Sequence, residues 1–80
     1  MGFEPRDGSL ALGGIPWLAR MIDKARAKAD GTIGDYIYPC PKDQELLKKL
    51  GLTADQFSAI VAESRDDQEI VAKVKERYRG

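Results

Sequence analysis

The sequence predicts an all-α fold, a small orthogonal bundle of about four short helices with one ordered Gly/Tyr/Pro loop between helices 1 and 2. Apolar residues recur at helical spacing in four segments, and glycines or capping residues mark the segment boundaries. The one short extended stretch has no second strand to pair with. Eighty residues are too few for two independent cores, so residues 1–80 are expected to form a single domain.

Residues 1–13 are predicted to form an N-terminal arm, because they mix glycine, proline, charge and apolar residues without a period. Leu10 and Leu12 are expected to dock this arm on the body of the domain. Helix 1 is predicted over residues 16–29, because Pro16 suits the first helical turn, where its missing N–H costs no hydrogen bond. The apolar stripe of this helix consists of Trp17, Leu18, Met21, Ile22, Ala25 and Ala29.

Residues 30–41 are predicted to form the ordered loop. Gly31 ends helix 1, and Gly34 marks a turn. The residues that follow Gly34 favour an extended backbone, since tyrosine and isoleucine have high strand propensity and a residue before proline avoids the helical region. We expect the loop to pack on the helices.

Three further helices are predicted over residues 42–50, 54–63 and 67–78. Gly51 ends the second helix, and Thr53 with the glutamine three residues later forms a capping box for the third. The fourth has acids at its start and bases towards its end, an order that complements the helix dipole and explains the basic tail without nucleic acid. Those bases are Lys73, Lys75, Arg77 and Arg79.

The composition excludes several classes of function. Thirteen basic residues balance thirteen acidic ones, so no net charge attracts the chain to nucleic acid or anionic lipid. The absence of histidine and the presence of a single cysteine exclude imidazole catalysis, disulfides within the chain and Cys/His zinc sites. No metal and no cofactor are therefore predicted. The sequence shows neither a membrane span nor a signal peptide, and a cytoplasmic location is expected.

Three blocks of the sequence resemble the signature of a bacterial domain family of unknown function. The blocks are residues 14–27 (GIPWLARMIDKARA), residues 34–44 (GDYIYPCPKDQ) and residues 50–52 (LGL). The likeness covers roughly residues 13–60. It implies a small, mostly helical bacterial protein with no established activity, and it supplies no catalytic residues.

The sharpest chemical candidate is Cys40, which lies between two prolines just before helix 2. A helix N-terminus stabilises a thiolate, but Asp43 in the first turn would oppose the negative charge, and no histidine can act as a base. A buried, inert cysteine is the alternative interpretation, and it is the favoured one.

A second candidate is a cluster on helix 1. Arg20, Asp23 and Lys24 share one helix face, and Tyr36 and Tyr38 could close over it. The functional hypothesis is a pocket in which Arg20 and Lys24 hold a small anionic ligand, Asp23 orients them, and Cys40 reacts or packs. An ordinary solvated face, or an ion-paired network that fixes the loop through the tyrosine hydroxyls, is the favoured alternative.

Two motif-like features are rejected or given little weight. Residues 31–34 lack the lysine of a phosphate loop and follow a helix instead of opening one. Residues 45–64 fit a helix-turn-helix spacing, but residues 53–69 contain five acids and one base, a net charge of −4. Phosphate contacts supply most nucleic-acid affinity, and the acidic third helix disfavours DNA binding through this unit.

Charge is segregated along the chain. Residues 16–29 contain four bases and one acid, a net charge of +3, opposite in sign to residues 53–69. These segments could face each other within one chain or between chains, and Trp17 would be an anchor in the second case. The first functional hypothesis is therefore a protein-interaction module with a protein partner or a homodimer, and the alternative is an anionic-ligand binder or thiol-dependent enzyme. The sequence leaves open whether the protein is an enzyme, and it favours the interpretation that it is not.

Overall fold

The computed structural model describes residues 3–78 and contains four α-helices. They are α1 (Leu18–Asp30), α2 (Pro41–Leu50), α3 (Ala54–Glu63) and α4 (Asp67–Val74), followed by one 3₁₀ turn over Lys75–Arg77. Within this part of the chain the only β-type pairing is an isolated bridge between Leu12 and Ile15. The predicted all-α class and the small helical bundle are confirmed. No helix in the described range is both long enough and apolar enough to cross a membrane.

Helix α1 begins at Leu18, two residues later than the sequence predicts. Trp17 adopts a left-handed conformation (φ 73°), which ends any helical path through Pro16. Its backbone N–H donates to the Gly8 carbonyl at 3.0 Å, so the N-terminal arm holds this turn. The helix extends through Asp30, and Gly31 (φ 75°) closes it in the left-handed conformation that glycine adopts without steric cost.

The N-terminal arm folds over the start of α1. Leu12 pairs with Ile15 through two backbone hydrogen bonds of 3.1 and 3.0 Å, and Leu12 packs against the core. Leu10, which was expected to dock as well, is 51% exposed. The first two residues of the predicted arm, and Arg79 of the predicted basic tail, lie outside the described residues.

Side-chain caps begin the helices α3 and α4. The Thr53 N–H donates to Gln56 Oε1 at 2.9 Å, and the Gln56 N–H donates to Thr53 Oγ1 at 3.1 Å, which is the capping box that the sequence predicts. Asp66 accepts a bond of 2.9 Å from the Glu69 N–H at the start of α4. The segment predicted as one helix over 67–78 tightens into the 3₁₀ turn after Val74, as helix ends often do.

The core lies between α1 and the other three helices. Leu18, Met21 and Ile22 on α1 are fully buried, and they meet Phe57 on α3 and Ile70 on α4, which are equally buried. Each such side chain contributes about 1.5–3 kcal/mol by leaving water. The apolar face of α1 is therefore committed to the core, and its polar face carries the residues of the candidate site.

Candidate functional site

A buried polar network connects the start of α1 with the start of α2. The Lys24 ammonium lies 2.7 Å from Asp43 Oδ2, and the two side chains are only 4% and 0% exposed. The Trp17 indole N–H donates to Asp43 Oδ1 at 2.7 Å, and the Cys40 backbone N–H donates to Asp43 Oδ2 at 2.9 Å. Lys24 Nζ also lies 3.2 Å from Cys40 Sγ. We call these four residues the Lys24–Asp43 network.

Local structure at the start of α2 explains why the network forms. Cys40 is the N-cap residue with an extended backbone, Pro41 occupies the first helical position, and Asp43 occupies the third. A carboxylate at the third position can reach back to the N-cap N–H, as in a capping box. Its remaining acceptor sites receive Lys24 and Trp17, so the buried carboxylate is compensated in charge and in hydrogen bonds.

Cys40 is a free, half-buried cysteine whose sulfur points into the network. The neighbouring ammonium is the type of partner that activates a thiolate, but the same ammonium lies closer to Asp43. Lys24 therefore neutralises the buried carboxylate first. In this arrangement the Cys40 side chain contributes to the contacts between α1 and the start of α2.

Arg20 and Tyr36 come together on the surface, as part of a row of stacked groups. The Arg20 guanidinium lies 5.4 Å from the Trp17 ring centre and 5.6 Å from the Tyr36 ring centre, both within range of a cation–π contact. Arg20 also donates to the Arg6 carbonyl at 3.2 Å. The Phe3 and Tyr36 rings meet edge to face with 5.6 Å between their centres.

Asp23 does not orient Arg20 or Lys24, and it binds Arg6 instead. The Arg6 guanidinium donates to both carboxylate oxygens of Asp23 at 2.9 Å and to Asp67 Oδ2 at 2.7 Å. Arg26 reaches Asp67 Oδ1 at 3.1 Å. The Arg6 hydrogen bond holds the pKa of Asp67 below its usual range, and Asp23 and Asp67 raise the pKa of Arg6. These four residues, the Arg6 cluster, fasten the arm to α1 and α4.

Tyr38 faces the interior. Its ring is buried, and its hydroxyl donates to the Ala54 carbonyl at 3.2 Å, at the start of α3. Burial raises the pKa of the Tyr38 phenol above its ordinary value of 10.0. The Lys28 ammonium donates to the Tyr38 carbonyl at 2.9 Å. Tyr38 therefore anchors the loop to α3 and does not close over a pocket.

The structure divides the six predicted site residues into separate groups. Lys24 and Cys40 share one network, Arg20 and Tyr36 share a surface row, and the remaining two, Asp23 and Tyr38, serve other contacts. Of five clefts on the described surface, only one includes any of the six, and it includes Asp23 alone. In the same part of the chain, no three potential acidic or cysteine ligands converge on a metal position.

Sequence reasoning missed four residues that organise this region: Arg6, Trp17 as a hydrogen-bond donor, Asp43 and Asp67. A signal existed for Asp43, since a carboxylate three residues after an N-cap position is a capping pattern. No local signal identifies Arg6, because its partners lie 17 and 61 residues away in the chain.

A protein-family model described as a domain of unknown function (DUF5069) matches residues 3–79. The resemblance to a family of unknown function is thereby confirmed. A search of the curated proteins found no match to the chain.

Proposed function

The chain belongs to the DUF5069 family, whose domain has no assigned function, and we propose from its own residues that it is a cytoplasmic protein-interaction module that self-associates. The observation that carries this proposal is the tip of the loop. Ile37 is 68% exposed and the adjacent Tyr36 is 37% exposed, although the loop around them is anchored. We call Tyr36 and Ile37 the loop tip.

Hydrogen bonds at both ends of the loop hold the tip in one position. At the first end, the Thr32 N–H donates to the Ala27 carbonyl at 2.8 Å. At the second end, the Tyr38 side chain is anchored on α3 and its carbonyl is held by Lys28. A rigid loop that exposes isoleucine and tyrosine binds a partner with little loss of conformational entropy.

The residue types at the tip suit a docking site. Tyrosine and arginine are enriched among residues that dominate binding energy at interfaces. Tyr36 stacks against Arg20, which brings a guanidinium beside the exposed apolar pair. The anchor expected from the sequence was Trp17, but its indole N–H is engaged by Asp43, and it supports Arg20 from the other side.

A second copy of the chain fits this surface because its charges are self-complementary. Within residues 3–78, neither Arg20 nor Asp35 forms an ion pair within 4.0 Å. Asp35 is exposed and directly precedes the tip. In a two-fold interface each residue pair occurs twice, so Arg20 of each copy can face Asp35 of the other while the two tips pack together.

The proposal is tested by light scattering and sedimentation over a concentration series up to about 1 mM, because a contact much smaller than roughly 800 Å² per partner is expected to be weak. The wild-type molar mass should rise towards that of a dimer. Ile37→Asp should weaken dimerisation at least about tenfold. Leu10→Asp is the matched control, since Leu10 is also an exposed aliphatic side chain but lies on the N-terminal arm.

A charge exchange tests the pairing itself. Arg20→Glu and Asp35→Arg should each weaken the dimer, since each places like charges across the two-fold axis. The double variant Arg20→Glu/Asp35→Arg should recover part of the affinity. A chain that stays monomeric over the whole series, or a Leu10→Asp variant as defective as Ile37→Asp, would overturn the proposal.

A further inference from the structure

A cleft on another part of the surface brings an immobilised aromatic ring and positive charge together. It lies between the turn before α1, the exposed face of α2 and the residue after the 3₁₀ turn, and its volume is about 250 Å³. Its apolar and aromatic lining residues are Leu46, Pro16, Trp17 and Tyr78. None of the six residues predicted as a site from the sequence lines it.

The Trp17 ring is held as a fixed platform in this cleft. Its indole N–H is bound to the buried Asp43, and its benzo edge packs so closely on Gly8 that a β-carbon at that position would overlap the ring. A ring that is already immobilised loses little entropy when another ring stacks on it, and stacked aromatic pairs contribute about 0.5–1.5 kcal/mol beyond their buried area.

Two lysines supply positive charge at the rim. The Lys42 ammonium lies 5.1 Å from the centre of the Trp17 ring, and Lys49 lies two helical turns further along the same face of α2. Both are exposed, and within the described residues neither forms an ion pair within 4.0 Å. Glu45 lies between them on the rim and opposes an anion.

We propose that this cleft binds a small aromatic anion, a flat ring that carries one phosphate or carboxylate group. The ligand ring lies against Leu46 and against Trp17, in the position above the indole that the Lys42 ammonium occupies in the free protein, and the displaced ammonium pairs with the anionic group at that end of the rim. The ring supplies apolar burial and stacking, and the lysine supplies charge-assisted hydrogen bonds.

The test uses the single tryptophan of the chain, whose indole N–H gives one resonance in a ¹⁵N-labelled sample. Phenyl phosphate and benzoate at millimolar concentration should shift this resonance in a saturable way. Inorganic phosphate, which lacks the ring, and benzyl alcohol, which lacks the charge, should each bind more weakly. Comparison of the first two ligands identifies the preferred anionic group.

Variants of α2 inside and outside the cleft provide matched controls. Lys42→Gln should weaken phenyl phosphate binding about three- to tenfold, and Lys49→Gln, two helical turns from the proposed position of the anionic group, should weaken it less. Lys48→Gln, on the same helix but outside this cleft, should leave binding unchanged, and Glu45→Gln should strengthen it. Ile37→Asp should also leave binding unchanged, which separates this proposal from self-association.

Two results would overturn the inference. One is an indole resonance that does not move with either aromatic anion at millimolar concentration. The other is an equal loss of binding in Lys48→Gln and Lys42→Gln, which would indicate general attraction to a positive surface and no defined cleft.

Discussion

At the scale of single residues, the central feature is a lysine and an aspartate buried together. Isolated buried charges are costly, and Lys24 and Asp43 tolerate burial because each satisfies the other and because Trp17 and Cys40 complete the hydrogen bonds of the carboxylate. The sequence places Lys24 on a polar face of helix 1, and in the folded chain it is buried in contact with Trp17 and with Cys40 and Asp43 at the start of α2. Burial of this pair could therefore not be predicted from periodicity.

Lys24→Met tests the role of this pair in stability. The substitution keeps most of the aliphatic stem but leaves Asp43 as an uncompensated buried charge, so we expect a loss of about 3–5 kcal/mol in the free energy of unfolding. Urea unfolding followed by circular dichroism measures it, and Lys48→Met on the exposed face of α2 is the control. Adding Asp43→Asn should recover part of the loss. A single variant as stable as the control would contradict the account.

At the scale of elements, the sequence was most informative where chain geometry is decided locally. Gly31 and Gly51 end their helices in the left-handed conformation, and Thr53 caps α3, as the residue types predict. The start of α1 differs because the Gly8 carbonyl in the arm accepts a hydrogen bond from the Trp17 N–H, and Trp17 adopts a left-handed conformation there. That contact joins residues nine positions apart, and the residue in the left-handed conformation is a tryptophan, a type that gives no turn signal.

The loop between α1 and α2 was expected to pack on the helices, but the direction of its two tyrosines could not be predicted. In a regular extended segment these two side chains, two residues apart, would point to the same side. The structure instead buries Tyr38 and exposes Tyr36, so the loop departs from a regular extended backbone between them. The hydrogen bond from Tyr38 to the Ala54 carbonyl decides which one is buried. Tyr36 is exposed beside Ile37.

The burial of Tyr38 predicts a loss of stability in alkali. Burial raises the pKa of the Tyr38 phenol in the folded state above its ordinary value of 10.0. The stability that the protonated phenol contributes is therefore fully present below pH 10, and it is lost as the pH rises through the folded-state pKa. Tyr38→Phe should lose about 0.5–1.5 kcal/mol at neutral pH, together with the bond to Ala54, but should depend less on pH above 10.

Thermal unfolding between pH 8 and about pH 11 measures this difference. Tyr36→Phe is the control, because that ring is exposed and should retain the wild-type alkaline loss. Parallel curves for wild type and Tyr38→Phe above pH 10 would show that the phenol does not couple to folding.

At the scale of the whole molecule, some charges of the basic and acidic segments pair with each other within the chain. Arg26 in the basic segment meets Asp67 in the acidic one, and Arg6 from the arm joins them. Arg20 lies outside this cluster and, within residues 3–78, forms no ion pair within 4.0 Å; in the proposed dimer it pairs with the other copy. The sequence indicated a basic and an acidic segment, but it did not indicate which of their charges pair within one chain. That depends on how the N-terminal arm is folded, since Arg6 of the arm binds Asp67.

The Arg6 cluster predicts a loss of stability in acid. The Arg6 hydrogen bond lowers the pKa of Asp67 from 3.8, so the stabilisation is present above pH 3.8 and disappears as the pH falls through the folded-state value. Asp67→Asn should be less stable than wild type at pH 7 and should lose less on acidification. Urea unfolding at pH 7 and pH 3 measures both, and Asp30→Asn, at an exposed position, should behave like wild type.

The proposed interface can be observed directly in a mixed sample of isotope-labelled and unlabelled chains. An isotope-filtered nuclear Overhauser experiment at high concentration detects only contacts between different copies. The account predicts cross-peaks from the Ile37 methyl groups of one copy to the Tyr36 ring of the other. Cross-peaks that involve Leu10 instead, or a sample with no intermolecular cross-peaks at any concentration, would contradict it.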